Sequence, residues 1–212
     1  MLSPDETQPL LQSPKRGISL NEKTAISTII AITLGFSLSG IIAWWITSPN
    51  SLVGKALGTF FTLFGLISDE RVLESCSLLY AFFAYAFTPG ISVAGVGLGT
   101  AGYTHGDPRH AKLFLTGLPA RMTASHQNLL ETFPIYALVA ALTALLGSRS
   151  LSAPAVALYD HAANLLALHV FCKTIIYIPA YLQDLGELRS VSHFLGIGAL
   201  LAVLYQLTFG SY

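Results

Sequence analysis

The sequence predicts an all-α integral membrane protein, and three observations carry that prediction. Of its 212 residues, 53% are hydrophobic and only 10% are charged, against about 25% charged in a soluble domain. The mean hydropathy is +0.62. Apolar runs of the length that crosses a bilayer, about 20 residues, recur along the chain between polar breaks. So little charge cannot coat a surface facing water on all sides, and the lipid bilayer is the first partner implied. The formal net charge is zero, so there is no basic footprint for a nucleic acid.

The elements follow in order. Residues 1–23, MLSPDETQPLLQSPKRGISLNEK, are polar and contain three prolines; they read as a disordered tail rather than a cleavable signal. Within them ETQPLL, Glu6 to Leu11, has the spacing of an acidic dileucine sorting signal, which acts only in the cytosol. The first span is expected over Thr24–Thr47, with Trp44 and Trp45 as an interfacial anchor and Pro49-Asn50 ending it. Residues 51–68 are apolar but short, interrupted by Lys55 and three glycines, and read as an interfacial or re-entrant segment. After the charged knot Asp69-Glu70-Arg71 comes a second span, Val72–Leu98, which Pro89-Gly90 should kink or cut short. A polar loop at 102–121 leads to a third span, Arg121–Leu146. A tight turn, GSRSLSAP, precedes a fourth over Ala153–Leu182, and QDLGEL precedes a fifth over Arg189–Phe209. The organisation is thus a tail (1–23), an extra transmembrane helix with its apolar segment (24–71) and a four-helix unit (72–212).

Lysine and arginine counts orient these spans. Lys15, Arg16, Lys23, Arg109, Lys112, Arg121 and Arg189 fall on one side, and Lys55, Arg71 and Arg149 on the other. The positive-inside rule therefore places the tail and the 102–121 loop in the cytosol.

The third span opens on RMTASHQNLLETFP, an unusually polar stretch. At about 100° per residue, Arg121 and Asn128 lie within about 20° of each other, and Glu131 about 60° further on. A carboxylate at this depth is costly, so Glu131 is expected to face inward toward amide donors or a cation. Arg121 is too far along the helix to pair with it, which makes another helix the expected source, with Lys173 or Arg189 available. His126 points about 140° from Arg121, which suits a structural or subunit contact better than chemistry.

A second polar patch, CKTIIYIPAYLQDLGELRS, covers 172–190. Tyr177 and Tyr181 share a face and could cap a cavity near the interface; the bland alternative is an aromatic belt with a positive-inside arginine. Lys173 lies deeper, where a lysine is costly. In YDHAANLLALH, Asp160 and His161 diverge and His161 and His169 sit over two turns apart, so no metal site is expected. Cys76 and Cys172 lie in apolar runs, without a CxxC, and read as buried free thiols.

Together GDPR (106–109), the pattern R-x4-H-x-N-x2-E-x-F-P (121–134), Y-x3-Y (177–181) and LRS (188–190) resemble the MAPEG family, the membrane-associated proteins of eicosanoid and glutathione metabolism. The likeness covers about residues 73 to 209 and is nearest to that family's broad bacterial and fungal branch. It implies a four-helix transmembrane bundle per subunit, a homotrimer, and glutathione bound between subunits near the cytosolic face. Carried onto this chain, it implies that Arg121, Asn128, Glu131, Tyr177 and Tyr181 hold glutathione. Arg189 and Ser190 would then hold or activate its thiol for attack on a lipophilic electrophile, as in a glutathione transferase or peroxidase. An endomembrane location, in the ER or vacuole, is expected in a eukaryotic cell. The sequence departs from the family pattern at Ala124, Gln127 and Thr174, where glutathione-using members carry arginines. Two other readings accommodate that departure. One is a non-catalytic trimeric scaffold or lipid-binding protein; the other is a small transporter, for which Lys173 and the run VAGVGLGTAG speak.

Overall fold

Residues 22–48, 51–63, 72–99, 112–149 and 153–209 are described in a computed structural model of the chain. The tail with its ETQPLL pattern, Asp69-Glu70-Arg71, GDPR and the first half of the 102–121 loop lie outside them. The chain divides into two units, Met1–Thr33 and Leu34–Tyr212. The described part of the first is the opening stretch of helix α1.

Regular structure among the described residues is helical throughout. Helix α1 covers Glu22–Ile46 and α2 covers Leu52–Leu63. Helix α3, Val72–Leu98, joins α-helical Val72–Phe82, a π-helical turn at Phe83–Phe87 and α-helical Thr88–Leu98. Helix α4 covers Gly117–Arg149. Helix α5 joins Ala153–Phe171, a second π-helical turn at Cys172–Tyr177, and Ile178–Leu182. Helix α6 covers Gly186–Phe209. Five of these rods are long and apolar enough to cross a membrane, at Thr28–Ile46, Val72–Leu98, Gly117–Gly147, Val156–Leu182 and Gly186–Phe209. Helix α2, with 12 residues, rises only about 18 Å and cannot span a core about 30 Å thick.

Pro89 does not end its helix. It lacks an N–H for the carbonyl four residues back and its ring crowds that carbonyl. One extra residue in the preceding turn relieves the clash: the Thr88 N–H donates to Phe83 O, five residues back, and Thr88 Oγ1 donates to the same oxygen at 2.8 Å. Pro179 follows the second π-turn at the same interval.

Helix α5 is the central rod, with 67% of its apolar window buried, against 28% for α3 and α4 and 44% for α6. Buried polar contacts key its neighbours to it. His169 Nδ1 donates to Gly196 O on α6 at 2.8 Å, and its ring stacks on Tyr136 of α4 and meets the Tyr80 ring of α3 edge-on. Between α3 and α4, the Tyr80 hydroxyl reaches Thr132 Oγ1 at 2.7 Å, and the Tyr136 hydroxyl reaches Ser77 Oγ at 3.1 Å. Each such contact contributes on the order of 1 kcal/mol in a bilayer. Near the far end of α3 the two backbones converge, where a Cβ on Gly95 would sit 2.8 Å from Met122 Cβ.

The later turns of α1 pack on this bundle through small residues. A Cβ on Gly198 of α6 would collide with Ser39 Oγ and lie 2.5 Å from the Gly40 nitrogen. Small residues allow this close approach between membrane helices. Lower down, His161 of α5 donates through Nε2 to Trp44 O at 3.2 Å and lies 3.3 Å from Thr47 Oγ1. Helix α2 rests on α5, with the Phe60 and Phe171 rings 5.1 Å apart.

Candidate functional site

The rotation of α4 is set by packing. Ser125, Leu129, Thr132, Tyr136, Val139 and Thr143 recur every three or four residues and are buried. That fixes Gln127, Glu131, Pro134 and Leu138 on the opposite, exposed stripe. The expectation that Glu131 faces inward toward another helix is therefore corrected. Glu131 is exposed, and its donor is the Gln127 amide on its own helix, with Nε2 3.2 Å from Oε1.

Arg121 acts elsewhere. Its Nε donates to Leu182 O at 3.2 Å, and its Nη1 lies 3.4 Å from the Asp184 carboxylate. It thus satisfies an open carbonyl at the C-terminus of α5 and holds the turn into α6. Asp184 has a φ of +62° there, a conformation that aspartate tolerates better than most residues. His126 donates through Nδ1 to Thr88 Oγ1, 3.0 Å away on α3, a contact within the chain. His161 and His169 bond to backbone carbonyls on different helices, as described above. Cys76 and Cys172 are buried and free.

Asn128, Tyr177, Arg189 and Ser190 do converge. They line one open cavity of about 190 Å³ together with His193 and Phe194. Asn128 comes from α4, Tyr177 from the end of the second π-turn, and the other four from the first turns of α6. Tyr181 braces the group from outside the lining, its ring 5.4 Å from that of Tyr177, with the Arg189 guanidinium 4.8 Å above it. The tyrosine face holds that cation in place.

Behind the cavity wall stands Lys173, completely buried. Its Nζ is 2.7 Å from His193 Nδ1 and 4.4 Å from the centre of the Tyr177 ring. Thr174, where the family pattern has an arginine, instead bonds back to Val170 O at 2.7 Å. The cation on this turn is therefore Lys173. Phe36 of α1 packs against Phe194 at 4.6 Å and His193 at 6.0 Å between ring centres. His193 and Phe36 are absent from the sequence reading. The first carried a legible signal, since it lies four residues after Arg189 on one helix face; the second carried none before the helices were packed.

A larger cavity, about 830 Å³, opens at the other end of the bundle between α3, α4 and α5, where small and aliphatic residues of α4 and α5 meet Glu74, Ser77, Tyr159 and Asp160. Its lining residues carry two carboxylates and no cation. The smaller cavity has both converging donors and positive charge, and it is the candidate site.

Fold and site thus define a multi-pass membrane protein of helical-bundle type, with a polar cavity at the end of the bundle where α4 and α6 begin and α5 ends. Residues 74–209 match the MAPEG family, and the chain belongs to it. Comparison with curated proteins and with solved structures returns no match. The match covers α3 through α6 and leaves α1 and α2 outside it.

Proposed function

We propose that this protein is a glutathione-dependent transferase or peroxidase acting on lipophilic electrophiles. The observation that carries the reading is the meeting of Asn128, Tyr177, Arg189 and Ser190 around one cavity. These residues are donors or cations that suit a peptide with carboxylates and a thiol. Arg189, pinned over Tyr181, supplies positive charge that favours thiolate over thiol. As a transferase, the thiolate sulfur bonds an electrophilic carbon of a bilayer-dissolved substrate while that carbon's leaving group departs with the bonding pair. As a peroxidase, it bonds the terminal oxygen of a lipid hydroperoxide while the O–O bond breaks and the alkoxide leaves as the alcohol. A second glutathione then displaces water from the sulfenic acid to give glutathione disulfide.

The exposed Gln127–Glu131 pair supports a homotrimer. Glu131 lies well inside the span Gly117–Gly147, where facing lipid is costly, and a second copy of the chain would cover that stripe. Its position beside Asn128 on α4 would then put the neighbouring subunit against the open cavity. A cytosolic N-terminus goes with the positive-inside count, and an endomembrane location belongs to the same reading.

Glutathione should raise the melting temperature of the purified protein, and Arg189→Ala should abolish that rise. No shift at millimolar glutathione would sink the reading. Cysteine labelling at Ser13 and Ser150 tests orientation: five spans require labels from opposite sides. The scaffold or lipid-binding reading, favoured by the alanine and glutamine at positions 124 and 127, predicts a stable trimer that ignores glutathione.

A further inference from the structure

The cavity has a positively charged floor that no carboxylate of the described residues approaches to ion-pair distance, Glu131 acting on it only from further away. Lys173 is fully buried, yet among the described residues the one ion pair is Arg121 with Asp184. Among the described residues its ammonium touches the His193 ring nitrogen and the face of Tyr177, with the Glu131 carboxylate beyond ion-pair distance. A buried cation is ordinarily paired. Two basic groups 2.7 Å apart carry one positive charge between them far more readily than two.

That single charge has two arrangements, and both lead to the same result. With the proton on lysine, the ammonium only donates, so Nδ1 is a bare acceptor and the ring proton sits on Nε2. With the proton on histidine, both ring nitrogens carry hydrogen. Either way Nε2 presents an N–H, and it makes no hydrogen bond among the described residues. His193 lines the cavity, so Lys173 acts there through its ring. Arg189 and Asn128 face the same space, and the Tyr177 and Phe194 rings form its apolar walls.

We propose that the Lys173–His193 couple is a binding site for one carboxylate, whose apolar remainder lies along Tyr177 and Phe194. The proposal rests on the cavity of the proposed function but not on glutathione. The same carboxylate chemistry could come from glutathione or from a fatty acid of the bilayer. Lys173 is then a positioning residue, and His193 Nε2 is the donor that touches the ligand.

The test uses the full-length protein in nanodiscs of neutral phospholipid, with glutathione, oleate and methyl oleate as separate probes. The expected result is that at least one carboxylate binds, that methyl oleate does not, and that Lys173→Met and His193→Phe each weaken binding by about tenfold or more, the scale of a lost charge-assisted hydrogen bond. Binding of oleate alone keeps this site and removes glutathione from the function. Glutathione bound equally by wild type and both variants overturns this site and leaves the function standing. Failure of both carboxylates to bind overturns the site as well. Because the Lys173 variant could fail to fold, nitrogen-15 spectra of His193 in the wild-type protein provide a check that needs no substitution. Nε2 should be protonated and shift on adding the bound carboxylate, whereas Nδ1–H with a bare Nε2 overturns the proposal.

Discussion

The two π-helical turns use one backbone device for two ends. Each closes two residues before a proline, Phe83–Phe87 ahead of Pro89 and Cys172–Tyr177 ahead of Pro179. In α3 the widened turn is sealed within the chain: Thr88 donates to Phe83 O and accepts from His126, and the surrounding residues are phenylalanines packed on one another. In α5 the widened turn carries a buried lysine and a tyrosine whose hydroxyl makes no bond among the described residues. π-turns inside α-helices often sit at functional sites. Here the one with unspent polar groups opens on the candidate cavity, so the side chains placed on the turn, and not its backbone alone, distinguish a joint from a site.

The largest effect that separates the two regions should come from Tyr80, which is fully buried beside the first turn. Tyr80→Ala removes an aromatic ring packed on Tyr136 and His169 and a hydroxyl bonded to Thr132, a loss of about 3–5 kcal/mol. Denaturation in detergent should show that loss, with glutathione affinity per folded molecule unchanged. An affinity falling in step with stability would mean that the first region reaches the cavity. Thr88→Val should act in the same direction and less strongly. It removes the hydroxyl that donates to Phe83 O beside the backbone N–H and accepts from His126, about 1–2 kcal/mol together, again measured as melting temperature with the ligand response intact. If Thr88→Val instead abolished that response, the first π-turn could not be treated as a joint.

The division between joint and site was partly legible in the sequence. Hydropathy alone locates five spans, because Val, Leu, Ile, Phe and Ala recur over the lengths a bilayer demands, and Lys55 with its glycines marks 51–68 as too weak to cross. The motif residues Asn128, Tyr177, Arg189 and Ser190, which the family resemblance singled out as site residues, do share a cavity. Glu131 was read the wrong way round because the cost of a carboxylate in lipid says that it needs a donor, not which side of the helix faces the core. The buried series Ser125, Leu129, Thr132 and Tyr136 decides that, and it is as visible in the sequence as the polar stripe. Lys173 was conspicuous, but its partner was not, since His193 is 20 residues away on the next helix. That pairing is set by how α5 and α6 pack, with Gly196 close enough to accept from His169. The contribution of α1 was illegible for the same reason: nothing in the order of residues brings Phe36 to Phe194.

The smallest expected change in stability is also the sharpest comparison of the two turns. Tyr177→Phe keeps the ring under the Lys173 cation, 4.4 Å away, and keeps the ring contacts with Tyr181 and His193. It deletes a hydroxyl that holds nothing within the described residues, so stability should change by less than about 0.5 kcal/mol. The hydroxyl belongs to a residue of the cavity wall, and its hydrogen bond to a ligand would contribute about 1 kcal/mol, so affinity should fall roughly fivefold. The corresponding change in the first turn, Thr88→Val, has the opposite signature, with stability lost and binding kept. Melting curves of the two variants, each with and without glutathione, read both quantities at once. If Tyr177→Phe melts early and binds normally, its hydroxyl is a structural group like that of Thr88, and the contrast between the two turns disappears.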